Sequence, residues 1–314
     1  MPALLPYGLR KIWSAPSNRA PGGLKALKRC LERSGAWFRY QLQKQLGLFP
    51  AQGRVIPWED GMRVLLLSSS QGSQSCLYYG LHDYPSMQFL RRYLRPGDLC
   101  ADIGANVGIY SLLMARHAGA TQVHAFEMLA SNISKLRANL RLNGFDGADG
   151  VVVHDHALAD RDGQVLLNAG DGDSTGSISP PPATDGEAAD GRWVQARRLD
   201  SFPWPAGFAF IKIDVEGAEQ LVLQGSKQLL PAAPMVWSFE YLDTQQRLGS
   251  SKAALLEAFA SWEYQFFLYR PTGNRLVAFI PDSQGSWPRR EDHNVLAIHT
   301  SAIDLVARRL SGVE

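Results

Sequence analysis

From residue 85 onward, short apolar runs alternate with longer segments of helical periodicity. Seven of the runs have the length and apolar content of strands, and helix-like segments separate most of them. The predicted strands are residues 99–103, 122–126, 151–154, 208–213, 235–239, 265–269 and 294–298. The predicted helices are residues 85–94, 109–117, 131–142, 218–230 and 253–262. This alternation predicts an α/β fold in which a largely parallel sheet has helices on both faces.

The N-terminal part of the chain gives weaker signals. Residues 63–67 predict a strand, and residues 76–79 are a candidate partner strand beyond a Ser/Gln/Gly-rich turn region. Residues 51–60 have the composition of a linker. We therefore expect an N-terminal extension over residues 1–60 and a main domain over residues 61–314.

An insertion interrupts the alternation at residues 160–198. It opens with an Asp-Gly hairpin signal, continues into a predicted strand at residues 165–167, and resumes an alternating pattern at residues 193–197. Residues 168–191, between these strands, are rich in Gly, Asp, Ser, Pro and Ala. Long segments of this kind are either solvated loops or lids over a binding site, and both interpretations stay open.

The N-terminal extension differs from the rest of the chain in charge. Residues 1–50 hold nine lysines and arginines against one glutamate, a net charge of +8, whereas the whole chain has +2. Their apolar residues near helical spacing are Leu24, Leu27, Leu31, Phe38 and Leu42. Such a basic amphipathic helix suits peripheral contact with an anionic membrane or a polyanion. The alternative is a helix that packs on the main domain and exposes its lysines.

Composition sets limits on compartment and class. The chain is 45% hydrophobic and 20% charged, which is ordinary for a globular protein. Cys30, Cys76 and Cys100 are far apart and form no CxxC pair, so we expect neither a disulfide framework nor a thiolate zinc site. The apolar runs are too short to cross a bilayer, and the N-terminus lacks a secretory h-region. We expect a cytoplasmic protein, with peripheral membrane contact through residues 1–50 as an open question.

The first chemical signal is the turn DIGANVG at residues 102–108, between a predicted strand and a predicted helix. It lacks the glycines of GxGxxG and the lysine of a phosphate-binding loop. Asp102 ends the strand two residues before Gly104. A carboxylate facing the ligand there would repel a pyrophosphate and favour a cationic group. Alternatively, Asp102 caps the turn or the following helix.

The second signal is Glu127, which directly follows the next predicted strand. An acid at this position can accept hydrogen bonds from both hydroxyls of a ribose. The two acids together predict a ribose-bearing cofactor with positive charge and little phosphate. S-adenosylmethionine fits that description better than NAD does.

The third signal is IKIDVEGAE at residues 211–219. Lys212, Asp214 and Glu216 alternate at the end of an otherwise apolar strand. Unpaired charges are costly to bury, so these residues either form a structural Lys–carboxylate pair or belong to an active site. Because open α/β sheets bind ligands at the carboxyl ends of their strands, we favour the active site.

These motifs, with AFE at residues 125–127 and SFE at residues 238–240, resemble the FkbM family of S-adenosylmethionine-dependent methyltransferases. The resemblance covers roughly residues 85–300. It implies a class I methyltransferase (Rossmann-like) fold with a seven-stranded sheet whose last strand is antiparallel. It also implies methylation of a hydroxyl on a sugar, a glycolipid or a similar natural product.

The resemblance also assigns residues. The expected acceptor-side residues are Asp214, Glu216 and Glu240, and a small-molecule or glycan acceptor is the expected partner, with no nucleic acid. The catalytic candidates are Asp214, Glu216 and Lys212, and His156 is a candidate of lower rank. No metal site is expected. The implied cofactor-binding residues are Asp102, Gly104, Ala105, Asn106, Gly108, Glu127, Met128, Asp155, His156, Ala157 and Asp214. Met128 departs from the family, which usually has proline after the ribose-binding acid.

Three alternatives remain at this stage. The chain could be a catalytically silent cofactor-binding protein that acts through its basic extension. It could be a nicotinamide-dependent oxidoreductase, although the missing GxGxxG opposes this. A variant of the methyltransferase mechanism would use a divalent metal on Asp214 and Glu240 to activate the acceptor hydroxyl.

Overall fold

The computed structural model describes residues 24–169, 176–179, 192–231, 235–241, 252–280 and 294–312. The helices are α1 (Leu24–Gln45), α2 (Gln71–Tyr79), α3 (Tyr84–Tyr93), α4 (Ile109–Ala118), α5 (Ala130–Leu142), α6 (Glu219–Gln224), α7 (Lys252–Ala260) and α8 (Ile303–Ser311). The strands are β1 (Arg54–Pro57), β2 (Arg63–Leu66), β3 (Cys100–Ile103), β4 (Val123–Phe126), β5 (Val152–His154), β6 (Ala157–Leu158), β7 (Gly163–Ala169), β8 (Gly176–Ser179), β9 (Arg192–Arg197), β10 (Phe210–Ile213), β11 (Val236–Glu240), β12 (Tyr264–Arg270), β13 (Arg275–Ala278) and β14 (Asn294–His299).

All seven predicted strands lie in one central sheet. Its order is β13-β12-β14-β11-β10-β3-β4-β5. Strands β5, β4, β3, β10 and β11 pair in parallel, whereas β14 pairs antiparallel with β11 and with β12, as expected for the last strand. The described residues add an eighth strand, β13, at the edge. It has four residues and is mostly exposed, and it was not predicted from the sequence although residues 276–280 form an apolar run.

Helices cover both faces of the sheet, as predicted. Side chains of β10 alternate between two apolar clusters, because successive residues of a strand point to opposite faces. Phe210 joins the cluster that contains Phe89 of α3, and Ile211 joins the cluster that contains Phe259 of α7. All four residues of β10 are therefore buried, including Lys212.

The described part of the insertion is a second, smaller sheet of order β6-β9-β7-β8. Strand β7 includes the predicted strand and pairs antiparallel with β8 and β9. Val165 and Ile178 are buried against Ala218, which precedes α6. Residues 170–175 and 180–191 lie outside the described residues. The insertion is therefore a sheet packed on the domain wherever it is described.

Two N-terminal predictions are wrong. Residues 76–79 are the last turn of α2 and not a strand, and the predicted linker contains β1, which pairs antiparallel with β2. The side chain of Ser70 accepts a hydrogen bond from Ser73 N (3.2 Å) and caps α2. A serine-rich stretch that we interpreted as a turn therefore begins a helix, because serine serves both as turn residue and as N-cap.

The region after β10 also differs from the prediction. Regular helix ends at Gln224, whereas the apolar pattern predicted helix as far as residue 230. The main chain of Ala159 passes so close to Gly225 that a Cβ there would overlap the Ala159 carbonyl oxygen. Helix α8 was not predicted. Its Arg309 binds Asp98 (2.7 Å) and joins the chain end to the segment before β3.

Candidate functional site

A cleft opens at the carboxyl ends of the central strands β3, β4 and β10. Its volume is about 650 Å³ when the space at its open mouth is included. Its lining residues are Ile103, Gly104, Asn106, Phe126, Glu127, Met128, Leu129, Asn132, His156, Ala157, Leu158, Ile178, Asp214, Val215 and Glu216. Of the residues expected at the site, the lining leaves out Asp102, Ala105, Gly108, Asp155, Lys212 and Glu240.

The glycine turn forms one wall of this cleft. Gly104 has a φ of 80°, and a Cβ there would overlap the main-chain oxygen of Asp214. The N–H groups of Gly104 and Ala105 both donate to the carbonyl oxygen of Phe126, at 3.0 and 2.9 Å. The turn is therefore held against the ends of β4 and β10, and only glycine fits at position 104.

Gly108 serves packing and not the cleft. Its φ is 84°, and a Cβ at this position would overlap the side chain of Leu136 on α5. This glycine lets α4 begin directly against α5.

The carboxylate of Asp102 does not line the cleft. Its Oδ2 accepts a hydrogen bond from Ser111 Oγ on α4 at 2.5 Å, and the residue is 2% exposed. Burial raises the pKa of Asp102 to about 6, although the Ser111 hydrogen bond and the charge of Lys212 oppose the increase. The structure therefore shows neither a carboxylate in the cleft lining nor a cap on α4, because Asp102 binds the side chain of Ser111 within that helix.

Glu127 lies in the lining with both carboxylate oxygens held by main-chain donors. Oε2 accepts from Asn106 N (2.9 Å), and Oε1 accepts from Leu129 N (2.8 Å). Burial raises the pKa of Glu127, while these hydrogen bonds act against the increase. Because carboxylate oxygens accept more than one hydrogen bond, Glu127 can also bind two ribose hydroxyls.

The segment that follows β5 supplies an aromatic ring to the cleft lining. The His156 ring stacks on Phe202, with centroids 5.6 Å apart and an angle of 10° between the rings. His156 Nε2 is buried and has no hydrogen-bond partner among the described residues. Burial lowers the pKa of His156, and Arg197 lowers it further. A neutral ring nitrogen without a partner suits a heteroaromatic base such as adenine. The side chain of Asp155, by contrast, is 86% exposed.

The third motif places an ion pair beside the cleft. Lys212 is 2% exposed, and its Nζ donates to Asp214 Oδ2 at 3.1 Å and lies 5.1 Å from the centre of the Tyr110 ring. Burial alone would lower the pKa of Lys212, but the charges of Asp214, Glu240 and Asp83 outweigh it and raise the pKa. Asp214 itself lies in the lining with a 40% exposed side chain. The sequence motif therefore combines a structural ion pair with a cleft carboxylate.

The last acid of the same motif shapes the loop. Glu219 Oε1 accepts from the main-chain N–H groups of Val215 and Gly217, both at 3.3 Å. The loop brings Glu216, with a φ of 55°, into the cleft lining. Sequence reasoning assigned no role to Glu219, which holds this loop in place.

Glu240 ends β11 beside this ion pair. Burial raises the pKa of Glu240 to about 8, and the nearby charges of Asp214, Glu216 and Asp83 add to the increase, while Lys212 opposes it. At neutral pH this carboxyl is therefore largely protonated and can donate a hydrogen bond.

Sequence reasoning missed Asp83, Tyr110 and Asn294. The Tyr110 hydroxyl donates to Asp83 Oδ2 at 2.6 Å, and Asn294 Nδ2 donates to the same oxygen. The only local signal was a tyrosine soon after the glycine turn, in a helix that is otherwise mostly apolar. Among the residues the structure describes, no group of three or more His, Cys, Asp or Glu side chains is arranged to hold a metal ion.

We expect Glu127→Ala to weaken S-adenosylhomocysteine binding about 100-fold, because two charge-assisted hydrogen bonds are lost. Calorimetric titration measures the effect. Asp155→Ala is the matched control, since this acid follows the neighbouring strand but is 86% exposed. We expect it to change the affinity less than about two-fold. An equal loss in both variants would contradict the assignment of Glu127.

We expect Glu240→Gln to stabilise the protein in alkali. Glu240 keeps its proton up to a pKa of about 8, compared with the ordinary value of 4.5. Ionisation therefore costs stability as the pH rises between these values, and glutamine removes that cost. At about pH 9 we expect a gain on the order of 1 kcal/mol, or a few degrees in Tm.

The exposed Glu257 provides the control, as Glu257→Gln. Thermal unfolding should show a gain for Glu240→Gln that disappears below about pH 4.5, where Glu240 is protonated in both the folded and the unfolded protein. A gain that is independent of pH would point to packing and not to ionisation.

Comparisons with solved structures find similarities to several methyltransferases. A methyltransferase FkbM from Methylobacillus flagellatus has 15% identity and a TM-score of 0.42; the match covers 74% of this chain and 56% of that one. An S-adenosylmethionine-dependent O-methyltransferase from Thermotoga maritima has 13% identity and a TM-score of 0.39, over 79% of this chain and 78% of that one. A tRNA (uracil-54, C5)-methyltransferase from Pyrococcus abyssi, in complex with S-adenosyl-L-homocysteine, has 11% identity and a TM-score of 0.41. That match covers 78% of this chain and 44% of that one.

A search of curated proteins finds no match. The family model for the methyltransferase FkbM domain matches residues 102–299, which contain the glycine turn, Glu127 and the Lys212–Asp214 pair. The chain therefore belongs to the FkbM family of S-adenosylmethionine-dependent methyltransferases.

Proposed function

We propose that this protein transfers a methyl group to a hydroxyl oxygen of a sugar, a glycolipid or a similar natural product. One observation carries the proposal: the Asp214 carboxylate lines the cofactor cleft while its Oδ2 is bound to the buried Lys212 at 3.1 Å. A hydroxyl is a weak nucleophile that gains from a nearby base. A fixed carboxylate at the cleft is suited to that task.

The cleft residues fit the cofactor. Glu127 would hold the ribose, and His156 with Ala157 would lie against the adenine. The glycine turn and Asp214 would lie along the methionine portion. When bound, S-adenosylmethionine supplies an activated methyl group.

The acidic residues would act on the acceptor. Asp214 Oδ2 is bound to Lys212, and no hydrogen bond within the described residues uses Oδ1. Oδ1 would accept the proton of the acceptor hydroxyl, and Lys212 would fix the orientation of the carboxylate. Correct alignment of the hydroxyl can supply roughly 7–11 kcal/mol of the barrier reduction, and the base adds to it.

Glu216 and Glu240 would bind the remainder of the acceptor. Glu216 is an exposed lining residue, and Glu240, protonated at neutral pH, can donate a hydrogen bond. A sugar presents hydroxyls that both donate and accept, so a neighbouring acceptor and donor suit it. This pairing supports a polyhydroxyl acceptor over an apolar one.

The test is an acceptor screen with isotopically labelled S-adenosylmethionine. The panel contains glycans, glycolipids and hydroxylated natural products, each paired with an analogue in which an amine replaces a hydroxyl. We expect label to enter hydroxyl compounds and the product to be a methyl ether by mass spectrometry and NMR. Transfer to the amine analogues alone would contradict O-methylation.

A further inference from the structure

Helix α1 presents apolar side chains to solvent. Leu31, Phe38 and Leu42 are 55%, 60% and 47% exposed. They recur at i, i+7 and i+11, so they lie on one helix face, called here the α1 apolar face. Large exposed side chains that are contiguous on one face mark an interaction surface more often than isolated ones do.

The opposite face of α1 is bound to the domain. Arg33 donates to the carbonyl oxygen of Tyr79 (2.7 Å) and pairs with Glu59 (2.9 Å). Tyr40 is 3% exposed, and its ring packs edge-on against Phe49 at 4.9 Å. These contacts fix the rotation of α1 about its axis, so the α1 apolar face points away from the domain.

The helix end adds two more exposed leucines. Leu48 N donates to Gln43 O (2.8 Å) and Gly47 N to Lys44 O (3.2 Å), with a φ of 67° at Gly47. This is a Schellman ending, in which the residue after the glycine commonly packs back on the helix. Here Leu46 and Leu48 are instead 61% and 67% exposed.

Charge decides which occupant fits this surface. Residues 1–50 have a net charge of +8, and the rest of the chain has −6. A second copy docked face to face would bring two strongly basic segments together, which is repulsive. An anionic bilayer would neutralise the basic residues and take up the apolar side chains at its headgroup boundary. Arg39, directly after Phe38, is exposed beside this face.

We propose that the α1 apolar face docks on the surface of an anionic lipid bilayer, and that basic side chains from residues 1–50 bind the lipid headgroups. The contact is peripheral, and none of the described helices is long and apolar enough to cross a membrane. The proposal concerns a surface outside the cleft and is independent of the acceptor.

The experiment is vesicle flotation of the full chain. Vesicles of phosphatidylcholine alone are compared with vesicles that contain about 30% phosphatidylglycerol, at low salt and at about 0.5 M salt. We expect binding to the anionic vesicles, and at least roughly ten-fold weaker binding to the neutral ones and at high salt.

Variants distinguish binding through the α1 apolar face from nonspecific adsorption of the protein to vesicles. Phe38→Asp and Leu42→Asp should each weaken binding roughly ten-fold, since each removes a large apolar group from the contact. Ile280→Asp is the matched control, because Ile280 is 84% exposed elsewhere on the protein, and it should change nothing. Unchanged affinity for S-adenosylhomocysteine confirms that each variant is folded.

Two results would overturn the proposal. The first is equal flotation of Phe38→Asp and the unchanged protein. The second is a dimer that Phe38→Asp dissociates, without binding of either form to anionic vesicles, because the face would then belong to a second copy.

Discussion

Asp214→Asn is expected to lower the turnover number about 10²- to 10⁴-fold, the usual contribution of a general base. Asparagine keeps the size of the side chain and can still accept a hydrogen bond from Lys212. It cannot take a proton from the acceptor hydroxyl. The measurement is steady-state methyl transfer to an acceptor found in the screen, together with calorimetric binding of S-adenosylhomocysteine, which should change less than about three-fold.

Glu216→Gln is the matched control for this prediction. Glu216 lines the same cleft two residues later, but it is an exposed side chain. We expect a change mainly in KM, and less than about ten-fold in turnover. A larger loss of turnover in Glu216→Gln than in Asp214→Asn would move the base to Glu216.

The order of the elements could be predicted because each strand is a local apolar run. Strands β3 and β10 are buried throughout and β4 nearly so; their sequences are therefore mostly apolar, with an acid near or directly after the strand end. The carboxyl ends of parallel strands meet at one edge of a sheet. Glu127 and Asp214 could therefore be placed at one cleft from sequence alone, and the structure brings them there.

The direction of an individual side chain was harder to predict. Asp102 lies one residue before the end of β3, and Glu127 directly follows β4. Asp102 nevertheless binds Ser111 on the following helix, and its carboxylate does not line the cleft. Asp155 follows β5 in the same way, and its side chain is exposed. Spacing along the chain places a residue at a strand end, but a tertiary hydrogen bond decides which way it faces.

The polar cluster beside Lys212 and Glu240 was least accessible to sequence reasoning. Asp83, Tyr110 and Asn294 come from three distant segments and meet only when the sheet and helices pack. Each residue alone has the appearance of an ordinary surface or packing position. Their joint effect is electrostatic, since Asp83 contributes to the raised pKa of both Lys212 and Glu240.

Lys212→Met is expected to lower the free energy of unfolding by about 1–3 kcal/mol at neutral pH, between the values for exposed and for fully buried ion pairs, because the Asp214 side chain is 40% exposed. Methionine fills similar space but removes the cation that faces the charges of Asp214 and Asp83. Chemical denaturation measures the loss. The exposed Lys227 provides the control, and Lys227→Met should stay within about 0.5 kcal/mol of the unchanged protein.

The pH dependence of that loss tells an electrostatic cause from a packing cause. The charges of the three acids raise the pKa of Lys212, so its stabilising effect is fully present at neutral pH and is lost only above its ordinary value of 10.5. In Lys212→Met the Glu240 carboxyl loses the cation that opposes its raised pKa, so the deficit should be smaller below about pH 8, where Glu240 is protonated, than above it. The double variant Lys212→Met/Asp214→Asn should recover part of it, because one of the unpaired charges is gone. A deficit that changes neither with pH nor with the second substitution would mean that Lys212 contributes through packing. The loop that Glu219 holds would then be what orients Asp214.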